Sequence, residues 1–75
     1  MIRTTKMTIK PATATTCTVL CETRDNKGTW ELQGVIPVKG TVEQVIAQRI
    51  ANQTRWGWTF CKASPANVLY FQKAF

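Results

Sequence analysis

From Thr13 to Thr23 apolar and polar side chains alternate: Cys17, Val19 and Cys21 share one face, Thr16, Thr18 and Glu22 the other, with Leu20 the exception. A period of two in a stretch rich in threonine predicts a strand with one buried face. Arg24-Asp25-Asn26-Lys27-Gly28 follows as a turn cluster in which Asn26 and Gly28 tolerate positive φ. Alternation resumes over Thr29–Val38, grouping Trp30, Leu32, Ile36 and Val38 against Thr29, Glu31 and Gln33. Gly34 interrupts this run where a bulge or a close approach is expected, and Pro37, without an N–H, marks an edge or a frayed end. The two runs read as a β-hairpin.

Beyond Lys39-Gly40 the period changes. Thr41-Val42-Glu43-Gln44 has the form of a capping box, and Val42, Val45, Ile46 and Ile50 recur at helical spacing. This predicts a helix of about three turns ending near Asn52. Arg55–Ala63 reads as a third strand, with Trp56, Trp58 and Phe60 on one side and Arg55, Thr59 and Cys61 on the other. Ser64-Pro65-Ala66-Asn67 is a second turn cluster, and Val68–Phe75 a fourth strand. Met1–Ala12 shows no sustained period and reads as a flexible basic arm, leaving 13–75 as a single domain. The expected architecture is α+β: a two-layer sandwich, ββαββ, with one helix on one face of an antiparallel four-stranded sheet. One helix cannot cover both faces of four strands. The face carrying Thr16, Thr18, Glu31 and Gln33 must meet water or a partner.

Composition narrows the function class. The chain has 75 residues, 44% hydrophobic and 19% charged, which is enough for one small folded domain and too little charge for wholesale disorder. No apolar run is long enough to span a membrane, and Met1–Lys10 lacks the apolar centre of a secretion signal. Cys17, Cys21 and Cys61 are an odd set that cannot close completely into disulfides, so a reducing cytoplasm is the expected compartment. Three thiols without any histidine make poor zinc arithmetic. Buried free thiols are the main expectation, and a Cys17–Cys61 or Cys21–Cys61 contact across neighbouring strands the alternative. Neither a metal nor a cofactor is expected. The acids Glu22, Asp25, Glu31 and Glu43 form no paired motif, no histidine activates a nucleophile, and the four glycines make no phosphate loop. The chain reads as a binding protein rather than an enzyme.

Ten basic residues against four acids give a net charge of +6, and the excess is uneven. Arg3, Lys6 and Lys10 lie in the first twelve residues with no acid, and Arg49, Arg55, Lys62 and Lys73 face only Glu43 after residue 39. Such a surplus favours phosphate backbones or acidic protein patches. Arg55, Trp56, Trp58, Phe60 and Lys62 interleave rings and cations, a pattern suited to stacking on bases or to anchoring a protein interface. Trp30, Trp58 and Phe60 are also needed to build a core, which leaves Trp56 the ring expected at the surface. The candidate contact set is Arg49, Arg55, Trp56, Lys62 and Lys73, with Trp56 as anchor. Arg3, Lys6 and Lys10 form a candidate nucleic-acid-binding arm.

Two resemblances of layout accompany these residues. The hairpin followed by a helix over Thr15–Asn52 resembles the arm-type DNA-binding domains of phage integrases. The four strands, one helix and missing catalytic set of Thr13–Phe75 are similar to small phage-encoded inhibitors, among them type I anti-CRISPR proteins. The second resemblance implies a phage or mobile-element inhibitor that docks on a host protein or ribonucleoprotein, such as a CRISPR effector complex, in the host cytoplasm. Mimicry of DNA by acidic charge is excluded for so basic a chain, which leaves docking on an acidic surface or recruitment of nucleic acid. The alternative is a direct binder of DNA or RNA using the same residues and the arm. A homodimer paired through edge strands or open sheet faces is compatible with either.

Overall fold

The computed structural model describes residues 1–64 and 67–75. Its order is β1 (Ile2–Pro11), β2 (Thr16–Asp25), β3 (Glu31–Lys39), α1 (Val42–Arg55), β4 (Thr59–Ser64) and β5 (Val68–Ala74). The sheet is antiparallel and five-stranded, ordered β3-β2-β1-β5-β4. The α+β class is as expected, but the four-stranded ββαββ layout is corrected. The fifth strand is Ile2–Pro11, the segment read as an arm, and it lies at the centre of the sheet. Its odd positions Thr5, Met7 and Ile9 are buried, and its even positions are dominated by threonine and lysine. The Thr4-Thr5 and Lys6 positions hide this alternation from a hydropathy reading. Threonine nevertheless suits a strand flanked on both sides, where its branched Cβ packs on the pleat.

The helix side of the sheet carries Met7 and Ile9 of β1, Cys17 and Val19 of β2, and Leu69 and Phe71 of β5, closed by Val45 of α1. Phe60 and Trp58 pack against this core from the β4 side. The capping box forms as expected: the Gln44 amide donates to Thr41 Oγ1 at 3.3 Å, and the Thr41 amide donates to Gln44 Oε1 at 2.9 Å. The helix continues past Asn52 to Arg55, so the expected third strand begins later, at Thr59. Gly57 explains the boundary. At φ 87° it stands where a helix C-terminus needs a left-handed residue. Its amide donates to the Thr54 carbonyl at 3.1 Å and that of Trp58 to Gln53 at 2.9 Å, the paired bonds of a Schellman motif.

The helix packs chiefly over β1, β2 and β4, so β3 is largely bare on that side and Ile36 remains 44% exposed. β3 is also an edge strand. The Gly40 amide donates to the Thr15 carbonyl at 2.7 Å, and by antiparallel alternation Pro37 then turns its nitrogen to the free edge. A residue with no N–H there blunts edge pairing. At the second turn cluster the Asn67 amide donates to the Ser64 carbonyl at 3.1 Å, while Pro65 and Ala66 lie outside the described residues.

Candidate functional site

Two bulges, one on each edge strand, decide what reaches the uncovered face. Cys21 pairs with Gly34, but Glu22 pairs with Leu32, so Gln33 is an extra residue in β3. A single inserted residue inverts the facing of everything beyond it. Trp30 and Leu32, grouped by the sequence pattern with Ile36 and Val38, are thereby carried to the opposite side of the sheet. Glu31, expected on the open face, instead sits across from Thr23 on the helix side. On β4, Phe60 pairs with Phe71 but Lys62 pairs with Tyr70, so Cys61 is the extra residue. That bulge turns Lys62 onto the open face; in unbroken register it would sit opposite Leu69 on the core side.

The open face is therefore a set of cross-strand rows. Arg24, Thr4, Gln72 and Thr59 lie in one; Leu32, Glu22, Lys6, Tyr70 and Lys62 in the next. Thr18 and Lys10 pair further up, and Thr16 stands beside Lys39. Five of the ten basic side chains, Lys6, Lys10, Arg24, Lys39 and Lys62, thus share this face with Glu22, while the other two strand acids, Asp25 and Glu31, face the helix side. Trp30 folds over the middle. Lys6 Nζ lies 4.4 Å and the Arg24 guanidinium 4.5 Å from its ring centroid, and Lys62 Nζ lies 5.2 Å from that of Tyr70. These are cation–π distances. Lys6 also meets Glu22 at 3.6 Å across the β1–β2 pair. Arg24 Nε is buried without a hydrogen-bond partner among the described residues, a costly state for a charged donor. Trp30 and Tyr70 stand 6.4 Å apart, tilted by 55°, beside a groove of about 360 Å³ lined also by Thr4, Arg24, Lys62 and Gln72.

The residues singled out from the sequence divide between two sides. Lys62, Lys6 and Lys10 are on the open face. Arg3 is not; it pairs across strands with Asp25, Nε donating to Oδ1 at 2.8 Å. That bond holds the Asp25 carboxyl below its ordinary range and the Arg3 guanidinium above its own. Arg55 and Trp56 end the helix, and Trp56 is 70% exposed, the surface ring the pattern predicts. Lys73 is beside it, Nζ donating to the Trp56 carbonyl at 3.0 Å. Arg49 is half-buried on the helix and its charge acts on Cys21, whose thiol is nonetheless pushed up, chiefly by burial. Lys62 therefore does not join Arg49, Arg55, Trp56 and Lys73. The side chains missed by sequence reasoning are Arg24, Trp30, Tyr70 and Gln72. Gly34 was the available signal, since a bulge there inverts the facing of Trp30.

All three cysteines are free: Cys17 buried, Cys21 half-buried and Cys61 exposed. A Cys17–Cys61 or Cys21–Cys61 contact across neighbouring strands is corrected, because β1 and β5 separate β2 from β4. Among the described residues no group of three or more metal-ligating side chains converges, and no helix is long and apolar enough to cross a membrane. No family model matches the chain, and no curated protein or solved structure matches it.

Proposed function

We propose that this chain is a non-enzymatic binding protein that holds single-stranded nucleic acid on the open face of its sheet. The observation that carries this reading is the pair of edge-strand bulges, which deliver Trp30 and Lys62 to the side already bearing Lys6, Arg24 and Tyr70. Bulges that re-aim side chains are a recurrent feature beside functional sites. Cations follow a phosphate backbone whatever its sequence, and half-buried rings such as Trp30 and Tyr70 add surface for stacking that only unpaired bases can use. The reading is tested by charge reversal on the two sides. Lys62→Glu and Lys10→Glu weaken binding of a single-stranded oligonucleotide, and each flattens the log–log salt slope by about 0.7 for the lost phosphate contact. Arg55→Glu and Lys27→Glu leave the slope unchanged. The opposite ranking refutes the proposal.

A second reading is favoured by Trp56. Exposed at 70% between Arg55 and Lys73, it has the composition of a protein-interface anchor. In that reading the protein is a phage or mobile-element inhibitor that seats Trp56 on an acidic surface of a host nucleic-acid machine such as a CRISPR effector complex. It predicts that Trp56→Ala abolishes inhibition of that machine, while Trp30→Leu does not.

A further inference from the structure

We infer that the groove beside the Trp30–Tyr70 pair is a slot for one unpaired base of the bound strand, with Arg24 and Lys62 holding the adjoining phosphates. This rests on the nucleic-acid reading and adds to it a place for the base. The groove, at about 360 Å³, is near the lower end of sizes for small-ligand pockets. Its two rings meet as a wedge, tilted by 55° at 6.4 Å, rather than as parallel plates. At that distance the rings touch each other, so a flat base in the groove packs against the pair rather than between its members. Gln72, exposed on β5 at the groove wall, offers both an amide donor and a carbonyl acceptor to that edge.

The charges flank the slot on both sides. Arg24 lies on β2 and Lys62 on β4, with β1 and β5 between them. Neighbouring strands stand about 4.8 Å apart, so the two backbone positions stand roughly 14 Å apart and the side chains reach inward, Arg24 over Trp30 and Lys62 over Tyr70. A strand crossing the sheet reaches both while its base packs against the ring pair.

The test uses the full chain and two probes of equal length and charge: a single-stranded thymidine octamer and the same phosphodiester backbone made abasic. Anisotropy titrations at fixed salt are expected to give about 5- to 150-fold weaker binding for the abasic strand. Trp30→Leu, and separately Gln72→Ala, weaken the thymidine octamer but leave the abasic strand unchanged. Gln72 is exposed, so its variant keeps the test valid if removal of Trp30 disturbs the fold. Equal affinity of the native chain for both probes overturns the slot while leaving backbone binding in place. Failure of both probes to bind overturns the slot and the nucleic-acid reading together.

Discussion

Replacing Ile9 by alanine tests whether the first eleven residues are part of the fold. Ile9 is 1% exposed on β1, opposite Val19 of β2, in the core closed by Val45. Removing three buried carbons from such a site costs about 2 to 5 kcal/mol, the spread reflecting how far the cavity collapses. A chain of this length has a total stability of about 4 to 11 kcal/mol, so the loss is a large fraction of it. The melting temperature should fall by at least about 8 °C, taking 4 °C per kcal/mol for a domain this small. Urea unfolding followed by circular dichroism measures the change, with Ile2→Ala as control because Ile2 is 41% exposed. If Ile9→Ala costs less than about 0.5 kcal/mol, the range of ordinary surface changes, the segment is an arm and the central-strand placement is wrong.

Three further outcomes follow from the local geometry. Asp25, bonded by Arg3, has a lowered folded pKa; its contribution is full above the ordinary value of 3.8 and is lost as pH falls through the folded value. Asp25→Asn should therefore lower the melting temperature slightly at neutral pH and flatten the acid limb of its plot against pH. Thiol labelling of the native protein should modify Cys61 first, Cys21 slowly because burial keeps its thiol protonated, and Cys17 only on unfolding; simultaneous labelling of all three contradicts the topology. Thr41→Ala should cost about 1 kcal/mol in urea unfolding through loss of the helix cap, whereas Thr41→Ser should be nearly neutral.

Features with a strictly local cause were legible in the sequence. The capping box at Thr41 and Gln44 needs only four residues, and the β2 face of Cys17, Val19 and Cys21 needs only alternation. Asn26 takes the positive φ, 52°, that the turn composition allows. What failed depended on partners distant in the chain. β1 is recognisable as a strand only once β2 and β5 flank it, since Thr5 is buried by position rather than by hydropathy. The site was hidden for a different reason. A bulge changes facing by one residue without changing composition, so the same letters place Trp30 and Lys62 in the core or on the open face according to the register. Arg55-Trp56-Gly57-Trp58 read as alternation because the rings fall two apart, although Gly57 is the natural left-handed stop of the preceding helix.

The most direct test of the central claim is a titration of isotope-labelled protein with a single-stranded oligonucleotide, followed by backbone amide and indole shifts at physiological salt. Binding on the open face predicts that the Trp30 indole and the amides of Lys6, Arg24, Lys62 and Tyr70 move together, with Arg49, Arg55 and Trp56 still. Shifts confined to Arg55, Trp56 and Lys73, or no shifts at all, would contradict it.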